Sequence, residues 1–320
     1  MIDVVALGEL LIDFTFTKAD EDGYPTMAAH PGGAPANFLA ALASYGAKTA
    51  LLGKVGADTF GTLLTGTLQK AGIETAGLVK ADDVFTTLAF VTLSPDGDRE
   101  FSFARKPGAD TCISFEELDL SLIDSAKVFH FGTLSLTHEP ARTATYKAVA
   151  YAKEKGKLVT YDPNLRKPLW ANLEEAKKQL LWGLSQADVV KISEDEVEFL
   201  FGLDPQEGAA HILQNYSVKL VFVTCGGDGC IFKNAKAEGK VPSLPHVKRI
   251  DTIGAGDIFG GSAVWKLLQI GKAPEELNEN ELYAVTSFAC TGAGLSTAKP
   301  GGISSVPPLA EVLETQKQYY

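Results

Sequence analysis

Four cysteines in 320 residues, at positions 112, 225, 230 and 290, stand at spacings that suit neither a paired metal-ligand motif nor a disulfide framework. They read as small buried residues in a reducing cytosol, which makes the Asn215-Tyr216-Ser217 sequon a coincidence. The five histidines are scattered without the spacing of a zinc site. Positive charge is also scarce. Against 40 Asp and Glu there are 29 Lys and Arg, and the net charge of −11 argues against nucleic acid or an anionic membrane as partner. No apolar run is long enough to span a membrane. Asp3, Glu9 and Asp13, with no basic start, argue against a secretory signal, so the expected location is cytoplasmic. Two familiar nucleotide-site signatures are missing as well. The Gly-Lys pairs at 53, 156, 239 and 271 are followed by Val, Leu, Val and Ala, without the hydroxyl a Walker A loop uses for Mg²⁺. No protein-kinase catalytic loop is present.

What remains is an ordinary globular composition, 45% apolar, in a chain long enough to bury a substantial core. Val4–Leu7 reads as a short buried strand ending at Gly8. Two β-rich stretches follow, Leu10–Thr17 and Thr86–Arg105, the second with a hairpin signal at Pro95-Asp96-Gly97-Asp98 and with Phe90, Phe101 and Phe103 on its arms. Small residues between Ala34 and Tyr45 predict a helix packed closely on a sheet. Beyond residue 125 strand-like runs (Val128–Phe131, Leu158–Tyr161, Val189–Ile192, Leu220–Thr224) alternate with helical segments (Ala141–Lys155, Leu173–Leu184, Asp195–Phe201). That alternation predicts an α/β fold: a mostly parallel sheet with helices on both faces, and sites at the carboxyl ends of its strands. No repeat or low-complexity linker divides the chain. It reads as one domain over 1–320, with segments about 9–31 and 84–106 forming a small β-sheet lid.

The densest chemistry lies at Asp251-Thr252-Ile253-Gly254-Ala255-Gly256-Asp257, which runs into the apolar helical stretch Ile258–Leu268. Small residues at a helix start let backbone N–H groups converge on an anion, aided by the helix dipole. A carboxylate beside such a hole repels phosphate unless it serves as a proton acceptor; a plain helix cap after a glycine turn is the competing reading. His30-Pro31-Gly32-Gly33-Ala34-Pro35-Ala36-Asn37 offers bare peptide groups and an amide that suit a polyol, or a structural turn. Asp13, flanked by Leu10, Leu11, Ile12 and Phe14, needs a hydrogen-bond donor, which sugar hydroxyls or a backbone turn supply. Thr224-Cys225-Gly226-Gly227-Asp228-Gly229 after an apolar strand suits nucleotide phosphates or a tight turn. Asp162-Pro163-Asn164-Leu165-Arg166 presents a planar fork of donors that fits phosphate or a surface ion pair. Lys191 and Glu196 sit at another strand-to-helix junction, where Glu196 is a candidate for hydrated Mg²⁺ or an ordinary first-turn acid.

Taken in order, these elements resemble the ribokinase-like (PfkB) carbohydrate kinase family over nearly the whole chain. Gly32, Gly33 and Asn37 match its early motif, and Asp251 to Asp257 its late one. Gly8-Glu9…Asp13, Arg105-Lys106-Pro107-Gly108-Ala109-Asp110 and Asp162–Arg166 are similar to the fructokinase branch in particular. The resemblance implies the ribokinase-like three-layer fold and ATP-dependent phosphorylation of a sugar hydroxyl by direct in-line transfer. The leading substrate is the 6-hydroxyl of fructose. 2-keto-3-deoxygluconate, ribose or a riboside, or a non-catalytic sugar-binding role, are the alternatives. It implies Asp257 as base, Gly254, Ala255 and Gly256 as anion hole, and Arg166 on the phosphates. The sugar would meet Asp13, Gly32, Gly33, Asn37 and Arg105, the last reaching in from the lid. ATP would meet Thr224, Gly226, Gly227 and Gly229, with Lys191 and Ser193 nearby. Mg²⁺ would lie near Glu196, a monovalent cation such as K⁺ near Asp251, and a homodimer would form through the lid. Two departures stand out. The family's Asn-x-x-Glu reads Ser193-x-x-Glu196, a shorter reach, and the usual small residue after the base is Ile258.

Overall fold

A computed structural model describes residues 1–93 and 99–320. The first half runs β1 (Val4–Leu7), β2 (Leu11–Ala19), β3 (Pro25–Gly32), α1 (Ala34–Ser44), β4 (Thr49–Gly56), α2 (Thr59–Lys70), β5 (Ile73–Glu74), β6 (Leu78–Ala81), β7 (Leu88–Leu93) and β8 (Arg99–Ala104). Then come α3 (Leu120–Ser125), β9 (Val128–Gly132), α4 (Ala141–Glu154), β10 (Leu158–Asp162), α5 (Leu173–Gln186), β11 (Val189–Ser193), α6 (Glu194–Phe201) and α7 (Pro205–Asn215). The chain closes with β12 (Leu220–Thr224), β13 (Cys230–Asn234), β14 (Glu238–Val241), α8 (Ala255–Ile270), α9 (Glu279–Ser296) and α10 (Leu309–Tyr319). The expected turn at Pro95–Asp98 lies outside the described residues.

The main sheet has the order β14-β13-β12-β11-β10-β9-β1-β4-β5, with β6 also on β4. From β12 to β5 all pairings are parallel, and only β13 and β14 add antiparallel strands at one edge. Side chains alternate across the strands and feed two cores. Val5, Leu7, Phe129, Phe131, Val159 and Tyr161 face one side, against residues of α4, α5, α6 and α7. Val4, Ala6, Val128, Leu220 and Phe222 face the other, against α1, α8 and α9. The result is the three-layer arrangement expected of parallel strands that must be covered on both faces. The chain leaves β1 toward β4 and later returns to β9 on the opposite side. That reversal opens a crevice at the strands' carboxyl ends, where ligands bind in such sheets.

The second sheet, ordered β3-β2-β7-β8, is built from the two β-rich stretches. Each hairpin is antiparallel, but β2 and β7 pair in parallel, Ile12 opposite Leu88 through Thr15 opposite Val91. Phe14 stacks on Phe90 at 5.3 Å and meets Phe60 of α2 edge-on at 5.7 Å, tying this sheet to the body. Among the described residues no helix is long and apolar enough to cross a membrane.

Helices α1 and α8 approach closely because α8 presents Gly260 and Gly261 to α1. A Cβ on Gly261 would lie 2.3 Å from the carbonyl oxygen of Phe38, which only a shift of one helix could relieve. The contact is pinned by the Trp265 indole N–H on the Tyr45 carbonyl (3.0 Å) and by the Tyr45–Ser262 hydroxyl pair (3.2 Å). Gly261→Ala should lower stability in urea unfolding by about 1–2 kcal/mol, overpacking outweighing the gain in helix propensity. An unchanged or raised midpoint would contradict this packing.

Candidate active site

The loop before α8 turns into the helix at Gly254, whose φ of 76° is left-handed and favours glycine. A Cβ there would lie 3.0 Å from both the Asn37 amide nitrogen and the Gly302 Cα, so space as well as dihedral selects glycine. The first α-helical bond runs from Ile258 N–H to the Gly254 carbonyl (2.9 Å), while Ala255 N–H makes a longer bond to Thr252 (3.3 Å). The N–H groups of the first turn therefore project toward the crevice without an intrahelical acceptor. Asp257 sits in that turn. Its Oδ2 accepts a hydrogen bond from the side-chain amide of Asn37 on α1 at 2.9 Å. Burial raises its pKa above the usual aspartate range; the Asn37 bond and the charges of Lys191 and Arg166 pull it back, and Glu196 pushes it up.

A cleft of about 400 Å³ opens over this point. At one end stand Glu9, Asp13, Gly33, Asn37 and Asp257, with Leu11 and Phe103 from the second sheet. Burial pushes both Glu9 and Asp13 up to about 7. The Arg166 charge opposes this at Asp13 and also pulls down the pKa of Asp257, and Arg166 lines the same cleft. Gly32 lines β3 beside Asp13; a Cβ on it would fall 2.2 Å from Asp13 Oδ2, so the carboxylate is seated against bare backbone.

Toward the middle lies Lys191, ion-paired to Asp162 at 3.1 Å. Burial works against its charge, but Asp162, Glu196 and Asp257 outweigh it and raise its pKa, keeping it cationic. Its ammonium reaches the start of α8: a Cβ on Gly256 would lie 3.0 Å away. Lys191 thus stands at the start of α8, in the same cleft as Thr224. The start of α8 then combines N–H groups without intrahelical acceptors, a helix dipole and a full positive charge.

Past Thr224, Gly226, Thr252 and Gly256, which line both spaces, the cleft continues into a second cavity of about 290 Å³. Its walls are mostly small or apolar: Leu244, Val247, Phe259, Ala293 and Gly294, with Gly227, Gly229 and Ala255 at the glycine side. A polar end for hydroxyls, a cationic centre and a flat apolar slot follow one another along a single trough.

Several residues singled out in the sequence have other partners. Arg105 is 2% exposed and does not enter the cleft from the lid. Its Nε and Nη2 donate to Asp110 Oδ2 (2.9 and 2.6 Å), Nη1 to Thr137, and Nη2 also to the Leu134 carbonyl. Its charge is neutralised five residues away along the chain, which corrects the expectation that it contacts a sugar. Glu196 and Ser193 form a capping box on α6, and the other Glu196 oxygen accepts from Leu165 N–H at 2.7 Å. Both carboxylate oxygens hold backbone, and the carboxylate still borders the cleft. Among the described residues no cluster of three or more His, Cys, Asp or Glu is arranged to hold a metal. Asp251 accepts from Ile253 N–H (3.0 Å) and Gly301 N–H (2.9 Å), clasping two loops behind α8. Glu9, Asn164, Thr252 and Phe103 also line the cleft, though none was assigned a site role from sequence. The first three lie within the motifs Gly8-Glu9…Asp13, Asp162–Arg166 and Asp251–Asp257, and Phe103 on a hairpin arm.

Known proteins resemble this chain over nearly its whole length. Residues 1–309 match the model of the pfkB family carbohydrate kinases. Fructokinase-2 of Solanum lycopersicum is 43% identical over 317 residues, 98% of this chain and 96% of the relative. The crystal structure of a fructokinase with bound ATP from Xylella fastidiosa superposes with a TM-score of 0.91 at 30% identity, covering 100% of both chains. The fructokinase of Vibrio cholerae O395 in its fructose, ADP and calcium ion bound form gives 0.86 at 29% identity, over 98% of this chain and 99% of that one. Matched over nearly its whole length by the family model and by a relative at 43% identity, the chain belongs to the pfkB family of carbohydrate kinases.

Proposed function

We propose that the enzyme phosphorylates fructose on its 6-hydroxyl with ATP, by in-line transfer with Asp257 as the base. The observation that carries this reading is the placement of a buried, amide-tethered carboxylate at the N–H-rich start of α8. There it stands at the junction of a hydroxyl-binding end and an apolar slot. A primary hydroxyl held against Asp257 gives up its proton as the oxygen attacks the γ-phosphorus. Negative charge on the transferring group is met by the N–H groups of Gly254–Gly256, by Lys191 and by Arg166, all in place before reaction. The apolar slot takes the base of the nucleotide. A divalent cation, Mg²⁺ in the ordinary case, neutralises the phosphates when bound. Glu196 would hold it through water, since both its oxygens already accept backbone N–H.

The charge of the sugar end supports a neutral substrate. Glu9, Asp13 and Asp257 all line it, and Arg105, the cation expected to reach the sugar from the lid, is taken up by Asp110. An acidic sugar would enter against three carboxyl groups. The second sheet, which brings Phe103 and Leu11 to the rim, serves as lid and excludes water from the transfer. Its outer aromatics Phe16 and Tyr24, 42% and 68% exposed, favour pairing of two lids in a homodimer.

An ADP-release assay across fructose, ribose, a riboside and 2-keto-3-deoxygluconate should give the highest kcat/KM for fructose and the lowest for the acid. Preference for the acid would overturn the substrate reading. Asp257→Asn should cut kcat by about 10²–10⁴-fold with ATP binding retained, and a variant turning over at the normal rate would remove the base. The acid limb of kcat/KM should lie above the ordinary aspartate range, because Asp257 must be ionised and burial raises its pKa. Lys191→Met removes a charge that lowers that pKa, so the limb should move further toward neutral pH. A limb that stays put or moves down would contradict the electrostatic account.

A further inference from the structure

We propose that Glu9 is a positioning residue for the transfer. It caps α1 from the β1–β2 connection and so fixes the Asn37 amide against Asp257. The inference rests on the reading of Asp257 as base.

A helix start needs acceptors for its first N–H groups, normally a Ser, Thr, Asp or Asn at the N-cap. At α1 the N-cap is Gly33, with φ 117° and no side chain to offer. No other residue fits there, since a Cβ on Gly33 would lie 2.4 Å from the Glu9 carbonyl oxygen. Pro35 in the first turn has no N–H, and Asn37 N–H already reaches the Gly33 carbonyl at 3.0 Å. The Ala34 N–H is satisfied from elsewhere: it donates to Glu9 Oε1 at 2.9 Å, across 25 residues of sequence. A carboxylate at this position also complements the positive end of the helix.

One turn further on is Asn37, and its setting leaves little slack. Its Nδ2 holds Asp257, while its Oδ1 is buried with no hydrogen-bond partner. Gly254 and Gly302 close on its amide from two sides; a Cβ on Gly302 would come 2.1 Å from Oδ1. An amide confined in this way has no second rotamer with which to follow a displaced backbone, so the first turn of α1 sets where it points. Glu9 is 3% exposed, and the Arg105–Asp110 pair acts on its charge. A buried acid at the cleft wall, gripping the helix that carries the amide, is placed to hold geometry.

The test is a double-mutant cycle on the full chain, with kcat and both KM values measured for Glu9→Ala, Asn37→Ala and the double variant. Glu9→Ala should lower kcat by about 10–100-fold through misplacement of the tethered base, with the fructose KM changed by less than about twofold. Glu9→Gln, whose amide oxygen still accepts from Ala34 N–H, should restore most of kcat. In the Asn37→Ala background the Glu9 change should cost less than about threefold more, because one route of action has already been removed. Losses that multiply in the double variant would overturn the proposal. So would a rise in fructose KM at unchanged kcat, which would make Glu9 a sugar ligand instead. If Glu9→Ala does not fold, Glu9→Asp keeps the charge but retracts the acceptor, and it enters the same cycle with the same two readings. Failure here is separable from failure of the base assignment. Multiplicative losses alongside an inactive Asp257→Asn sink only the Glu9 role, whereas an active Asp257→Asn sinks both.

Discussion

Asp257 and Asn37 are 220 residues apart in sequence and 2.9 Å apart in space. The fold is arranged so that this bond can form. Helices α1 and α8 must meet backbone to backbone, which explains Gly261 against the Phe38 carbonyl and the small residues Ala36, Ala40 and Ala41 along α1. The same closeness aims the start of α8 at the crevice where the sheet order reverses. The bond thereby joins Asn37 of the early motif to the Asp251–Asp257 motif near the other end of the chain.

Electrostatics divide the trough. At the sugar end acids dominate, and burial pushes them toward forms that can exchange protons near neutrality. In the middle, Lys191 and Arg166 bring positive charge into the cleft, where the proposed transfer would develop phosphate charge. Asp162 and Glu196 keep Lys191 ionised despite its burial. A chain with a net charge of −11 thus carries a local cationic centre, Lys191 and Arg166, in its cleft.

Much of this was legible in the sequence, and for identifiable reasons. β1 and β12 are compact apolar runs ended by glycine or by a polar loop, so their limits matched the structure to the residue. The heptapeptide ending at Asp257 declared a helix start because small residues preceded an apolar stretch. The region from β4 to β6 was harder: Gly53 and Lys54 interrupt an otherwise apolar strand, and the two-residue β5 has no pattern at all. The parallel pairing of β2 with β7 depends on contacts about 75 residues apart that no local period encodes. From sequence Arg105 was expected to reach in from the lid, and only folding brings it face to face with Asp110, both side chains buried. Likewise Glu9 could be noticed, but its bond to Ala34 needs the β1–β2 connection laid beside α1.

The central claim is that one carboxylate and one helix start act on the same phosphoryl transfer. A crystal structure with fructose and a nonhydrolysable ATP analogue tests it most directly. The account predicts the fructose 6-oxygen within about 3 Å of an Asp257 carboxylate oxygen, and the terminal phosphate on the N–H groups of Gly254–Gly256. A terminal phosphate seated elsewhere, or an Asp257 carboxylate directed away from the sugar, would contradict it.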